Sequence, residues 1–215
     1  MREVRVRAIH NAPAGRVRVV PAGRMCAVTI GEDREALAVQ LPPCRAPRGA
    51  RSSRFKPGEL EVQLAVDGLT AVWVASIEAT CRAAAAPLAP KGFAGAWRSA
   101  LSQAEFGGQA LKVKLKPEGR TFAGAGRARG EPADVLAAGA TLHVAVRATC
   151  LYFIPAEEGA SGGGGSYGVS WAIVQALRED APPGLSPAPA GGGAGGKRPR
   201  PPGGGEGCTI LDWDD

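Results

Sequence analysis

Lysine alternates with apolar residues in one short segment of the chain, and this period of two restricts what the segment can form. The alternating residues are Leu111, Lys112, Val113, Lys114, Leu115 and Lys116. Because successive side chains of a β-strand point to opposite faces, the pattern predicts a strand with an apolar side and a charged side. Such a strand belongs to a sheet that packs on a core with one face and presents lysines on the other.

Two later segments, residues 141–147 and 167–175, show the same alternation and flank a glycine-rich stretch. Four aromatic residues lie on or just after these segments: Tyr152, Phe153, Tyr167 and Trp171. Together with the lysine strand, the segments predict a mainly β fold. We expect an OB-like antiparallel barrel with one or two short helices and a disordered C-terminal tail.

Two hairpins are predicted elsewhere. Residues 4–7 and 16–19 alternate apolar residues with arginine and predict an N-terminal hairpin. The Asp67-Gly68 dipeptide lies between two alternating runs and predicts a second hairpin. The outer face of this second hairpin carries Glu61, so we expect it to lie away from any bound polyanion.

Helices are predicted in two places. Good helix formers over residues 77–86, followed by Pro87, predict a helix that ends at the proline. Residues 93–106 are interrupted by glycine but predict a second short helix that leads into the lysine strand.

The charge balance of the chain is basic. Lysine and arginine number 26 against 20 acidic residues, which gives a formal net charge of +6 and a pI near 9.4. A basic surface favours polyanions such as nucleic acid. The five cysteines are widely spaced, and the chain shows no signal peptide and no apolar run of membrane-spanning length. These features predict an intracellular protein with reduced thiols and no membrane partner.

A charged strand beside aromatic strands is suited to single-stranded nucleic acid, because cations follow phosphates and rings stack on unpaired bases. The cationic candidates are Lys112, Lys114, Lys116, Arg120, Arg127, Arg129 and Arg147. The stacking candidates are Tyr152, Phe153, Tyr167 and Trp171, although Trp171 shares a face with Val169 and Ile173 and is also a core candidate. The alternative is that the lysines are only the solvated face of a half-buried sheet.

A basic, irregular segment over residues 44–56 adds a second source of positive charge. Its arginines, placed among proline, glycine and serine, are Arg45, Arg48, Arg51 and Arg54. Two interpretations stay open at this point: a phosphate-binding flap that becomes ordered on a polyanion, or a solvated insertion.

The chain offers little for catalysis. His10 and His143 have no nucleophile or carboxylate partner at a recognised spacing, and no zinc-ligand spacing occurs. The Gly124-x-Gly126 spacing is not a dinucleotide fingerprint, because no long helix follows it. We therefore predict a protein that is not an enzyme and that uses no cofactor and no metal.

Composition divides the chain into three parts. Residues 1–180 predict one OB-like nucleic-acid-binding domain, and residues 181–207 are mostly Gly, Pro and Ala and predict a flexible linker. Residues 208–215 predict an acidic-aromatic docking peptide, whose partner-binding residues are Ile210, Leu211, Asp212, Trp213, Asp214 and Asp215. This peptide can mimic phosphates and a base and occupy the protein's own groove, or it can engage a basic pocket on another protein.

The order of these motifs resembles that of the single-stranded DNA-binding proteins of large nucleocytoplasmic DNA viruses and, more distantly, of lytic tailed phages. The resemblance covers roughly the second half of the chain and its last residues. The matching residues are Lys112, Lys114, Tyr167, Gly168 and Trp171. The chain departs from the pattern in its long Gly/Pro spacer and in the two aspartates that follow Trp213.

The resemblance implies an OB-fold protein that coats single-stranded DNA during replication, recombination or repair and recruits replication proteins through its tail. If the chain is viral, it is expected in the host nucleus or a viral replication compartment. RNA as a ligand and homodimer formation are left open. The rival interpretation is a virion-associated structural or adaptor β-domain whose basic face contacts nucleic acid or an acidic protein.

Overall fold

The structure is a computed structural model that describes residues 6–8, 17–22, 25–30, 35–36, 38–53, 56–104, 107–124, 127–156 and 165–179. Its strands are β1 (Val6–Ala8), β2 (Val17–Ala22), β3 (Met25–Ile30), β4 (Glu35–Ala36), β5 (Ala38–Gln40), β6 (Cys44–Arg45), β7 (Arg51–Ser52), β8 (Leu60–Val66), β9 (Gly95–Trp97), β10 (Leu101–Gln103), β11 (Gln109–Ala123), β12 (Ala128–Arg129), β13 (Thr141–Ile154) and β14 (Gly165–Arg178). Its helices are α1 (Gly68–Ala85), which continues into a 3₁₀ turn at Ala86–Leu88, and α2 (Pro132–Val135). No helix in these ranges is long and apolar enough to cross a lipid bilayer.

Five strands pair in a closed circuit and form a barrel. β13 pairs antiparallel with β14, β14 runs parallel to β11, and β11 pairs antiparallel with β8. The short strand β6 closes the circuit, because Arg45 lies opposite Ala65 of β8 and Cys44 lies opposite Leu142 of β13. The predicted mainly β, OB-like fold is therefore confirmed. Its sheet is mixed, since β9 and β11 both run parallel to β14 and β1 runs parallel to β5.

The alternation along β11 separates core from surface as the sequence predicts. Leu111, Val113 and Leu115 are buried, whereas Lys112 is exposed and Lys114 is half-buried. The apolar side joins one core with residues of the neighbouring strands, among them Val62, Leu64, Leu142, Val144 and Val146. Full burial of each such side chain contributes about 1.5–3 kcal/mol, so the core fixes which face of β11 carries the lysines.

The Asp67-Gly68 dipeptide begins a helix, so the hairpin predicted at this point is wrong. The carboxylate of Asp67 accepts a hydrogen bond from the backbone N–H of Thr70 at 2.7 Å and caps α1. The buried apolar side of α1 consists of Ala71, Val74, Ile77, Cys81 and Ala85. These buried residues are spaced with the helical period of 3.6. The helix predicted over residues 77–86 corresponds to the C-terminal half of α1.

Two further local predictions are wrong. Residues 93–106 contain β9 and β10 in place of the predicted second helix, and the second helix is α2. β9 pairs with β14 and β10 pairs with β11, so these strands satisfy backbone groups where β11 and β14 do not pair with each other. In the N-terminal region β2 pairs with β3 while β1 pairs with β5, so the described parts of residues 4–7 and 16–19 do not form the predicted hairpin.

Glu78 connects α1 to the segment between β9 and β10. Its carboxylate accepts a hydrogen bond from Ser99 Oγ at 2.5 Å and another from the backbone N–H of Ala100 at 2.8 Å. Burial nevertheless raises the pKa of Glu78 above its ordinary value. The Ala100 carbonyl in turn accepts a hydrogen bond from the Lys112 backbone N–H at 2.8 Å, so Glu78 helps to position the start of the lysine strand.

Replacing Glu78 with glutamine should remove a pH dependence of stability. A carboxyl group whose pKa is higher in the folded protein binds its proton more tightly there, so stability falls as the pH rises from the unfolded value to the folded one. We expect the melting temperature of the wild-type protein to fall relative to that of Glu78→Gln as the pH rises above about 4.5. Thermal unfolding followed by circular dichroism at several pH values measures this difference, and a constant difference would contradict the prediction.

Candidate nucleic-acid interface

A groove lies between residues 46–53, which contain β7, and the outer face of β8 and β11. Strand pairing places Arg51 opposite Glu61 and Glu61 opposite Lys114, so three charged residues form one row across the sheet. In the next row Gln63 lies opposite Lys112. The residues that line the groove are Arg48, Gly49, Arg51, Glu61, Val62, Gln63 and Lys112. Cations therefore lie on both of its walls.

Backbone contacts hold the basic segment against the residues that follow α2. The backbone N–H of Ala50 donates to the carbonyl of Leu136 at 2.8 Å. Gly49 has a left-handed φ of 65°, and a Cβ at this position would lie 2.7 Å from the backbone nitrogen of Ala138. Glycine is therefore required for this close approach. The fold places Arg48 and Arg51, two of the four arginines of the segment, in the lining of the groove together with Lys112.

Two carboxylates lie among the lysines. Glu61 Oε2 is 2.9 Å from Lys112 Nζ, and Glu61 Oε1 is 3.9 Å from Lys114 Nζ. Glu59 forms two further ion pairs, at 3.9 Å with Lys114 and at 3.6 Å with Lys56. The expectation that Glu61 lies away from any bound polyanion stays a prediction, but β8, which carries Glu61, pairs directly with the lysine strand β11.

The ionisation of Glu61 reflects this environment. Burial alone would raise the pKa of Glu61, but the hydrogen bond from Lys112, the charges of Lys112 and Lys114, and the Ser53 hydroxyl outweigh burial and lower it. Glu61 is therefore ionised at neutral pH and neutralises part of the lysine charge.

Of the predicted cations, Lys112 lines the groove and Lys114 adjoins it. The others are not among the residues that line it: Lys116, Arg120, Arg127, Arg129 and Arg147. β11 changes register relative to β14 between Leu115 and Arg120, and the arginines of the following turn and of β12 come after this irregularity. Arg147 is half-buried, and its Nη2 lies 3.7 Å from Glu118 Oε1. The structure thus brings only part of the predicted set to the groove.

Two of the predicted rings belong to a cluster of four half-buried aromatic residues. Phe153 and Tyr167 lie opposite each other on β13 and β14, with ring centroids 5.9 Å apart and planes 9° apart. Phe93 packs edge-on against both, at 5.2 and 6.1 Å, and Trp97 packs edge-on against Tyr167 at 5.3 Å. Phe93 and Trp97 were not among the candidates because they lie in the segment predicted as a helix. Their aromatic character is the local signal that points to them.

Tyr152 lies opposite Gly168, so it occupies the other side of this strand pair from Phe153. A Cβ on Gly168 would lie 2.3 Å from the carbonyl oxygen of Arg98. The glycine therefore allows the segment after β9 to pack beside Tyr152, which is half-buried.

Trp171 is a core residue, and its prediction as a stacking residue is wrong. It is 1% exposed and packs edge-on against Trp73 of α1, with ring centroids 5.8 Å apart. Its neighbours Val169 and Ile173, on the same side of β14, are buried as well. A base cannot reach the ring while the barrel is folded.

Replacing Trp171 with alanine should therefore destabilise the fold rather than remove a binding contact. Loss of a buried tryptophan side chain costs about 3–5 kcal/mol in the free energy of unfolding. Urea unfolding of Trp171→Ala and of Trp97→Ala, a half-buried control, measures the two costs, and we expect the larger loss for Trp171. A Trp171→Ala variant with wild-type stability but weakened oligonucleotide binding would contradict the assignment to the core.

The remaining titratable groups of the described residues include one histidine and four cysteines. No group of three or more His, Cys, Asp or Glu residues in these ranges could hold a metal ion. His143 Nε2 lies 2.6 Å from Glu179 Oε1, and the described cysteines Cys26, Cys44, Cys81 and Cys150 are free thiols. Burial raises the pKa of Cys44 and Cys81 to about 12. His10, the predicted linker and the docking peptide over residues 208–215 lie outside the described residues.

Comparisons with known proteins identify no family for the chain. No family model matches the sequence, and no curated protein matches it. Among solved structures, the single-stranded DNA-binding protein from bacteriophage Enc34 is similar, with a TM-score of 0.41 and 11% sequence identity. The similarity covers 75% of this chain and 89% of that chain. Nothing in these comparisons indicates a relation to the single-stranded DNA-binding proteins of large nucleocytoplasmic DNA viruses, whose motif order the sequence resembles.

Proposed function

We propose that the chain binds single-stranded DNA with little sequence preference, in the groove between residues 46–53 and the outer face of β8 and β11. The proposal is supported above all by the cations on both walls of this groove, Arg48 and Arg51 on one side and Lys112 on the other. Cations placed along a groove follow a phosphate backbone and supply affinity without reading the bases.

The position of the groove on the barrel supports the same function. In chain order, the strands of the closed circuit are β6, β8, β11, β13 and β14, so β8 and β11 are the second and third. OB barrels bind oligonucleotides on the face of their second and third strands and with the loop between the first and second. Residues 46–53 belong to that loop.

The half-buried aromatic cluster of Phe93, Trp97, Phe153 and Tyr167 is proposed as a stacking surface for unpaired bases. The setting of DNA replication, recombination or repair, with recruitment of replication proteins by residues 208–215, belongs to the same proposal. A host nucleus or viral replication compartment is the corresponding location for a viral chain, and no enzymatic step is needed for this role.

A structural or adaptor β-domain is the second candidate. The observation in its favour is that Glu59 and Glu61 already neutralise part of the lysine charge, which weakens the basic face as a phosphate ligand. Binding to a labelled oligothymidine and to a matching duplex separates the two functions. A single-stranded DNA-binding protein should prefer the oligothymidine, whereas a purely electrostatic adaptor should bind both alike.

Removal of the lysine charges at positions 112 and 114 should weaken oligothymidine binding and its salt dependence. For a single strand, the slope of log affinity against log salt decreases by about 0.7 for each phosphate that the protein no longer neutralises. We expect the double variant Lys112→Gln, Lys114→Gln to show a slope shallower by about 0.7–1.4. Fluorescence anisotropy at several salt concentrations measures both quantities.

The matched control is Arg82→Gln, Lys91→Gln, which removes the same charge from exposed residues at and after the C-terminal end of α1. This control should retain most of the affinity and the wild-type slope. Equal losses in the two double variants would mean that net charge, rather than the groove, determines binding and would count against the proposed site.

A further inference from the structure

We infer that Glu61, assisted by Glu59, limits the affinity of the groove by competing with the phosphates of a bound strand for Lys112 and Lys114. The inference rests on the function proposed above and names a regulator of affinity within the same groove. The outer face of β8 and β11 is not purely basic, because the carboxylates lie on or next to β8, the strand that pairs directly with the lysine strand β11.

The depths of the side chains make this competition direct. The Lys112 side chain is 53% exposed, whereas those of Glu61 and Glu59 are 22% and 10% exposed. The ammonium group therefore reaches the surface while the carboxylates lie beneath it. Ser53 Oγ donates to Glu61 Oε1 at 3.4 Å, which ties the same carboxylate to the basic segment across the groove.

A phosphate that binds Lys112 comes close to Glu61. The ammonium–carboxylate distance is 2.9 Å. A hydrogen bond to a phosphate oxygen spans a similar distance, so the two anionic oxygens lie within about 6 Å of each other. Like charges at this separation repel, and the repulsion is stronger at a partly buried group than in bulk water. Each phosphate must therefore share the lysine or displace the carboxylate.

The carboxylates cancel most of the lysine charge in this part of the protein. Three ammonium groups, those of Lys56, Lys112 and Lys114, face the carboxylates of Glu59 and Glu61. One net positive charge remains where three lysines would suggest a larger attraction. Binding in this part of the groove consequently depends on the additional cations of residues 46–53 and is weaker and more readily reversed.

Glu61→Gln is the direct test, and Asp134→Asn is its control. Both substitutions remove one negative charge, and Asp134 is an exposed residue of α2 outside the groove lining. We expect Glu61→Gln to tighten oligothymidine binding about twofold to fivefold, as loss of a surface ion pair of ordinary strength predicts. Its salt slope should steepen by about 0.7 because a lysine becomes available to a further phosphate. Asp134→Asn should change neither quantity appreciably.

The lysines themselves provide a second test. If Glu61 acts through Lys112 and Lys114, then Glu61→Gln should give a smaller gain in a protein that already carries Lys112→Gln and Lys114→Gln, because only direct charge repulsion of the phosphate remains there. Glu59→Gln should tighten binding by a smaller factor, since its distance to Lys114 is longer, at 3.9 Å, than the distance between Glu61 and Lys112. Melting temperatures of all variants show whether each remains folded.

The outcomes separate this inference from the function on which it rests. Tighter binding by Glu61→Gln, with a smaller gain in the lysine-deficient background, supports competition, whereas an equal or larger gain in that background overturns it in favour of direct repulsion by the carboxylate. Wild-type or weaker binding by a folded Glu61→Gln and a folded Glu59→Gln, with the wild-type protein binding normally, overturns competition alone and makes the carboxylates supports of the lysines. Absence of oligothymidine binding by the wild-type protein and by both variants overturns the proposed function as well.

Discussion

The pairing of β8 with β11 determines both the core and the groove. Its register sets Leu64 opposite Leu111 and Val62 opposite Val113 on the buried side. The same register sets Glu61 opposite Lys114 on the outer side. A slip by one residue would exchange the two faces and bury the lysines, so the apolar contacts enforce the arrangement of charges. The electrostatics of the groove is in this sense a consequence of core packing.

The sequence predicts the local structure of single segments of this fold but not which distant segments pair with them. Alternation along residues 111–116 predicts which side chains of β11 are buried, since that depends only on the period of the strand. Which charges meet those lysines depends on a strand that lies about fifty residues earlier in the chain. The Asp67-Gly68 dipeptide is ambiguous for a local reason, because aspartate both caps helices and forms turns. Burial of Val74 and Ile77 decides for the helix.

The groove and the rings are harder to predict because they depend on distant contacts and on strand irregularities. Arg48 and Arg51 line the groove together with Lys112, and their segment is held by the carbonyl of Leu136, a contact that no local pattern reveals. The pairing of β13 and β14 shifts register between Ala148 and Cys150, and this shift changes which later residues share a face. A period of two counted from the start of β13 therefore assigns its aromatic residues to the wrong sides.

A basic groove built on neighbouring strands needs countercharges, because lysine and arginine side chains on adjacent strands would otherwise repel one another in the free protein. The row formed by Arg51, Glu61 and Lys114 meets this need by alternating the sign of charge across three strands. In the proposed mode of binding, the residue that stabilises the row also lies within about 6 Å of a phosphate bound to Lys112. Under the proposed function, strand pairing and polyanion affinity therefore make opposite demands on Glu61: its carboxylate stabilises the pairing of charged strands and weakens the attraction for phosphate.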